Sequence, residues 1–177
     1  YVKSNNYDCV YQVISECIKK GYEDFLMISD GEAAISVGFE NTQGYKDALQ
    51  DACRDGGTQY LQDGVKSAQV YGMLKEKVDL SRKTLIYVAS PGQLQVVYQA
   101  IRNYPDYMGL FPDTLGLVGF DVEGWTRMTT PAISAIITPA YQEGVRAMEE
   151  LVDVLDGKKR EGDVVFKNIV KWRETTL

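Results

Sequence analysis

Three polar residues that could do chemistry each follow directly after a short, mostly apolar run of the sequence. These residues are Asp30, Ser90 and Asp121, and the runs before them are typical of buried strands. Hydroxyl and carboxylate groups hydrogen-bond polar ligands, and a carboxylate can also serve as an acid or a base. Ligands bind beyond the carboxyl ends of the strands in parallel sheets. We therefore expect Ser90 and Asp121 to be the first site residues, with Asp30 as a further candidate.

The sequence lacks the groups on which most enzyme and metal sites depend. It contains no histidine, which is the commonest general base and a principal metal ligand. It shows no nucleophile elbow, no phosphate-binding glycine-rich loop and no metal-type cysteine spacing. We therefore expect no catalytic residue, no metal, no cofactor and no enzyme activity. An enzyme that uses Asp30 and Asp121 as acids is the alternative.

A strand–helix–strand unit over residues 84–120 would position two of these candidates. Pro91 suits the first position of a helix, with Ser90 at its N-cap. Apolar residues then recur every three or four positions from Leu94 to Tyr104, which makes one helix face. A unit of this length implies parallel strands joined by a right-handed crossover.

Strand and helix patterns alternate along the rest of the chain. The alternation predicts an α/β fold, a three-layer Rossmann-like parallel sheet with helices on both faces. A surface loop is expected over residues 32–41. Further strands are predicted over residues 25–29, 58–61, 133–138, 164–166 and 169–172, and further helices over residues 10–18, 43–54, 65–78 and 141–156.

Charge and cysteine content narrow the class of protein. The net charge is −6 without a long basic run, which argues against nucleic-acid binding by this chain alone. No apolar run approaches the roughly 18 residues of a membrane span. The three cysteines are an odd number in helical patterns, which favours reduced thiols and the cytoplasm. Tyr1 is not a natural start, so we expect a fragment or a processed chain.

Several short motifs, in order, resemble the effector-binding domain of LacI/GalR-family transcription regulators. That domain has the type I periplasmic-binding-protein fold. The resemblance runs through nearly the whole chain, and the motifs are specific in combination rather than singly. They are Asn5–Tyr7 with Ile18–Tyr22, Gln43–Leu49, Leu117–Asp121, Pro131–Ile136 and Trp172–Leu177.

The resemblance implies a division of the chain. Residues 1–120 would form the C-terminal subdomain of the effector-binding domain, and residues 166–177 a strand that returns to it. Residues 121–165 would be a crossover segment whose helix is normally shared with the other lobe. The family's helix-turn-helix, hinge and first half of the N-terminal subdomain are missing here. We expect the helix at residues 141–156 to pack on the chain itself or on another copy, since exposed large apolar side chains cost about 1.5–3 kcal/mol each.

The resemblance also implies a ligand site in the cleft between two lobes. Asp121 keeps a family position, Ser90 replaces the first residue of an Asn-Asp pair, and Asn41 replaces an arginine. Asp30 lies at another strand end, and Trp125 could stack on a sugar face. Each assignment has a structural alternative: Ser90 as a helix cap, Asn41 as a loop or cap residue, Asp121 as a turn residue and Trp125 as packing.

These features favour the ligand-sensing domain of a bacterial transcription regulator. It would bind a sugar or a related small-molecule effector and control operator binding allosterically. DNA would be contacted only through the absent domain, the chain would form a homodimer, and no membrane would be involved. The alternative is a periplasmic sugar-binding protein of a transport system. An upstream helix-turn-helix or a secretion signal in the full-length gene would decide between them.

Overall fold

A six-stranded sheet forms the centre of the fold. This computed structural model describes residues 1–31, 36–122, 124–158 and 162–177. The strand order is β3-β2-β4-β5-β6-β8, and a separate two-stranded sheet pairs β1 with β7. The strands are β1 (Val2–Ser4), β2 (Asp24–Ser29), β3 (Gly57–Tyr60), β4 (Thr84–Val88), β5 (Leu115–Asp121), β6 (Ser134–Ile137), β7 (Val164–Phe166) and β8 (Ile169–Lys171).

Helices cover both faces of the large sheet. They are α1 (Asn6–Lys19), α2 (Ser36–Asp51), α3 (Ser67–Lys77), α4 (Pro91–Arg102), α5 (Pro105–Met108) and α6 (Ala140–Leu155), with a 3-10 helix at Trp125–Met128. The buried apolar residues of α1 and α2 form one core cluster, and those of α3 and α4 form a second. The predicted three-layer α/β fold is confirmed.

Strand β4 shows how one sheet serves two cores. All five of its residues are buried. Leu85 and Tyr87 belong to the cluster of α1 and α2, whereas Ile86 and Val88 belong to the cluster of α3 and α4. Successive side chains of a strand point to opposite faces, so a strand covered on both sides must be apolar at every position.

The sheet is parallel except at one edge. Strands β2 to β6 run parallel, but β8 pairs with β6 in the antiparallel direction. An antiparallel edge strand on a mostly parallel sheet is common. Residues Thr175 and Thr176 beyond β8 are fully buried, and the Thr175 hydroxyl donates to the Leu117 carbonyl at 2.7 Å. The C-terminal motif Trp172–Leu177 therefore attaches the end of the chain to β5.

The predicted loop over residues 32–41 is wrong for its second half. Helix α2 begins at Ser36 and includes Asn41, while residues 32–35 lie outside the described ranges. Asn41 is 3% exposed. Packing on α1 stabilises α2 as a whole, although the first turn of α2 has no clear apolar period.

Helix α6 lies beside β1 but buries none of its residues. Tyr141, Met148 and Leu155 are 81%, 60% and 77% exposed. The expectation that this helix packs its apolar face on the chain itself is therefore wrong, and packing on another copy stays a prediction. Within the described ranges, no helix has the length and apolar content needed to cross a bilayer.

Candidate functional site

The carboxyl ends of β2, β4 and β5 meet at one edge of the sheet, as the sequence predicts. These strands are neighbours in the order β2-β4-β5. The Ser90 hydroxyl donates a hydrogen bond to Asp30 Oδ2 at 2.9 Å. Ser90 also occupies the N-cap position of α4, but its side chain makes no capping bond. The structure thus brings Ser90 and Asp30 together, and their ligand roles stay predictions.

Asp121 is turned inward at the end of β5. It is 1% exposed. Its carboxylate accepts hydrogen bonds from the Gly124 N–H at 2.7 Å, the Thr126 N–H at 3.1 Å and the Thr126 hydroxyl. Arg173 donates to the same hydroxyl oxygen at 2.8 Å. These bonds fasten the start of the 3-10 helix to β5, and a ligand role for Asp121 stays a prediction.

Trp125 packs against the protein. Its ring lies 6.2 Å from the Tyr98 ring, centroid to centroid, at a tilt of 55°. It also packs against the core cluster of α3 and α4. A stacking role for Trp125 stays a prediction, and it is not among the described residues that line the cavity at the strand ends.

Asn41 lines that cavity from helix α2. Its amide nitrogen donates to the Ala89 carbonyl at 3.1 Å, immediately beyond β4. This bond fixes which way the amide faces, because the reverse orientation would set two oxygens against each other. Its carbonyl oxygen, Oδ1, is buried and has no hydrogen-bond partner among the described residues. Such an oxygen costs about 1–3 kcal/mol until something donates to it.

The cavity has a volume of about 650 Å³ and lies between the two sheets. Its first wall comes from α2, from the start of α4 and from the carboxyl ends of β5 and β6. Its second wall comes from β1, from the first turn of α6 and from the residue before β7. The described lining residues are Tyr1, Val2, Lys3, Ser4, Asn6, Val37, Glu40, Asn41, Pro91, Phe120, Val122, Thr138, Glu143 and Asp163.

Three polar pairs connect segments of the cavity wall, and sequence reasoning missed all six residues. The Tyr1 α-ammonium pairs with Asp163, which stands just before β7. Lys3 Nζ of β1 lies 2.9 Å from Glu40 Oε1 of α2. The hydrogen bond to Glu40 raises the pKa of Lys3, so this ammonium stays charged. The Ser4 hydroxyl donates to Glu143 Oε1 of α6. No local signal identifies these residues, because their proximity depends on the long-range pairing of β1 with β7.

The donor set suits hydrogen bonding rather than metal binding. Among the residues that the structure describes, no group of three or more histidine, cysteine, aspartate or glutamate side chains is arranged to hold a metal ion. The cavity offers hydroxyl, amide and carboxylate groups beside the apolar side chains of Val37, Pro91 and Phe120. A few polar groups on an apolar wall are typical of a site for a small polar molecule.

Comparisons with known proteins agree with this geometry. A family model described as a periplasmic binding protein-like domain matches residues 14–176. The HTH-type transcriptional regulator KdgR of Bacillus subtilis (strain 168) is 22% identical over 164 residues, which are 89% of this chain and 47% of KdgR. The chain thus spans about half the length of this curated relative.

Solved structures share the fold at low identity. A probable maltose operon transcriptional repressor, malR, of Staphylococcus aureus superposes with a TM-score of 0.84 at 12% identity, over 97% of this chain and 60% of that one. A periplasmic binding protein/LacI transcriptional regulator from Alkaliphilus metalliredigens QYMF, complexed with D-xylulofuranose, superposes with a TM-score of 0.81 at 17% identity, over 98% of this chain and 64% of that one. These relatives are described as regulators of transcription, not as enzymes.

Proposed function

Because the chain belongs to the periplasmic binding protein-like domain family, we propose that it is the effector-sensing part of a LacI-type transcription regulator. The family match confirms the resemblance drawn from the sequence motifs. The effector is a sugar or a similar small polar molecule, and it binds in the 650 Å³ cavity at the strand ends. The single observation that carries the proposal is Asn41, which lines this cavity and whose buried carbonyl oxygen has no hydrogen-bond partner among the described residues.

The position of the cavity suits an allosteric site. One wall belongs to the six-stranded sheet with helix α2, and the other to β1, the residue before β7 and the start of α6. A ligand that contacts both walls favours the arrangement in which they are close together. Such a ligand therefore shifts the equilibrium between the arrangements of the two walls. The size of the shift is the difference between its binding free energies for those arrangements.

The remaining activities belong to the longer protein. We propose that ligand binding changes operator affinity through a DNA-binding domain outside this sequence, that the protein works in the cytoplasm, and that it is a homodimer. The sugar-bound regulator from Alkaliphilus metalliredigens supports a sugar effector. The length of KdgR beyond the match leaves room for a further domain.

A thermal-shift screen of neutral sugars on this chain tests the proposed site. A ligand that binds only the folded state raises the melting temperature by mass action, by an amount equivalent to about 2.7 kcal/mol at 100 times its Kd. D-xylulose is the first probe. Glu143→Gln and Asn41→Leu should each reduce the shift, because both side chains line the cavity.

The matched control is Glu149→Gln, which changes an exposed carboxylate elsewhere on the same helix. It should leave the ligand-induced shift intact. A shift that survives both cavity substitutions would place binding elsewhere. No shift with any sugar would contradict the proposed function.

A further inference from the structure

We propose that Asn6 donates a hydrogen bond from its side-chain NH2 group to the ligand, and that Asn168 positions Asn6 for this role. The inference rests on the proposed function, since it assigns two further residues to the same site. It is carried by a cluster of three asparagines, Asn5, Asn6 and Asn168, where the chain crosses between the two sheets, with Asn6 on the cavity wall.

Two of the crossings between the sheets are bonded to each other. The first runs from β1 of the small sheet into α1, and the second runs from β7 of the small sheet into β8 of the large one. The Asn5 N–H donates to the Phe166 carbonyl at 2.9 Å, and the Asn168 N–H donates to Asn5 Oδ1 at 2.8 Å. These bonds hold the start of α1 against the segment that follows β7.

Asn168 also orients the side chain of Asn6. Its Nδ2 atom donates to Asn6 Oδ1 at 2.9 Å. The oxygen and the nitrogen of a side-chain amide diverge from one carbon atom, so this bond turns the NH2 group of Asn6 away from Asn168. The reverse orientation of both amides would put an NH2 group, with two donors, where Asn168 Oδ1 lies buried without a partner among the described residues. Two unpaired donors cost more than one unpaired acceptor.

The NH2 group of Asn6 is therefore the part of this side chain that a ligand can use. Asn6 is 5% exposed and lines the cavity, whereas Asn168 is not among the described lining residues. The wall thus presents an amide donor at Asn6 as well as an amide acceptor at Asn41. Asn168 affects the ligand through the orientation of Asn6, which makes it a positioning residue.

Substitutions at the two positions test this assignment. Asn168→Asp removes the donor that holds Asn6 Oδ1, so the Asn6 amide should turn over, donate to the new carboxylate and present its oxygen to the cavity. Asn6→Ala removes the amide. Each should weaken binding of D-xylulose, or of the first sugar that raises the melting temperature, by about three- to tenfold in calorimetry, the range that one hydrogen bond gives. The matched control is Asn103→Asp, which adds the same charge at an exposed position beyond α4 and should leave the affinity unchanged.

The double variant decides whether Asn168 acts through Asn6. Asn168→Asp should add nothing to the loss that Asn6→Ala causes, because the group that it reorients is absent. Losses that add in full would overturn the positioning role. If Asn168→Asp fails to fold, Asn168→Ser tests the same coupling without an added charge. An Asn6→Ala chain that binds as tightly as the unsubstituted one would overturn the ligand role of Asn6 and leave the proposed function standing.

Exchange of side-chain amide protons with water gives a measurement without any ligand. In NMR spectra of the isotope-labelled chain, the NH2 signals of Asn6 are assigned by their loss in Asn6→Ala. They should exchange faster than those of Asn168, whose NH2 group donates within the protein, and they should become protected in Asn168→Asp. Slow exchange of the Asn6 signals in the unsubstituted chain would overturn the inference, whether or not a sugar binds. If no sugar binds, the proposed function fails, and the ligand role of Asn6 fails with it.

Discussion

Gly44 marks a close approach of α2 to α1, and a methyl group there should force the two helices apart. A Cβ atom at Gly44 would lie 2.6 Å from the Tyr7 carbonyl oxygen and 3.2 Å from the Val10 Cβ atom. Ordinary contacts begin at 3.4 Å. Both opposing atoms lie on or next to the backbone of a buried helix, so no flexible side chain can give way. Gly44→Ala therefore requires a shift of α2 by most of an ångström.

The net effect of Gly44→Ala is a balance of two contributions. Overpacking of this kind costs about 1–3 kcal/mol, whereas alanine in place of a mid-helix glycine stabilises by about 0.5–1 kcal/mol. We expect the free energy of unfolding to fall by about 1–2 kcal/mol. In a domain of this size that lowers the melting temperature by about 2–8 °C. Circular dichroism during heating, with urea unfolding as a second measurement, reports both quantities.

Gly72→Ala is the matched control. Gly72 is exposed in the middle of α3, and an added Cβ would meet no atom within 4 Å. Only the higher helix propensity of alanine then affects stability, so the melting temperature should rise by about 1–4 °C. A Gly44→Ala chain as stable as the unsubstituted one, beside a stabilised Gly72→Ala chain, would refute the close packing of α2 on α1. Because Asn41 lies one turn before Gly44, ligand affinity should fall only in Gly44→Ala.

Four further outcomes are expected. Asp121→Ala should lower the free energy of unfolding by about 2–5 kcal/mol in urea, because buried donors lose their acceptor; a loss below about 1 kcal/mol would contradict this structural role. Burial raises the pKa of Cys9 to about 11 and of Cys17 to about 12. A thiol reagent at pH 8 should therefore modify only the exposed Cys53 in the folded chain and all three thiols in urea. The unfolded chain releases the protons of the two buried thiols first, so the urea midpoint should fall as pH rises above about 9, and a constant midpoint up to pH 10.5 would count against their burial. Met148→Asp on α6 should weaken self-association in light scattering if that face pairs with a second copy, and an unchanged molar mass of a dimer would exclude the face.

Periodic segments of the sequence were sufficient to predict most of the fold. The helix behind Ser90 begins at Pro91 as predicted, because proline and an N-cap residue are strong local signals. The start of α2 was missed because its first turn mixes Val37, Gly38 and Phe39 without a helical period. The helix is stabilised by tertiary contacts, such as the bond from Asn41 in its second turn to Ala89, which lies 48 positions away.

The site was only partly predictable for the same reason. The rule about strand ends located Asp30, Ser90 and Asp121, since it follows from the topology alone. It cannot locate Ser4 or Glu143, whose hydroxyl–carboxylate bond spans 139 positions of the sequence. Their proximity arises when the first and seventh strands pair, and neither strand exceeds three residues.

Asn41 and Asp121 show why position at a strand end does not by itself make a ligand contact. Both are nearly fully buried at the same edge of the sheet. The Asp121 carboxylate accepts bonds from Gly124 and Thr126 in the turn that follows it, so a ligand hydroxyl would have to displace bonds already made. The Asn41 carbonyl accepts none among the described residues. A hydrogen bond from a ligand to Asn41 would be an additional bond, whereas one to Asp121 would replace a bond within the protein. A ligand therefore gains more binding free energy from Asn41 than from Asp121.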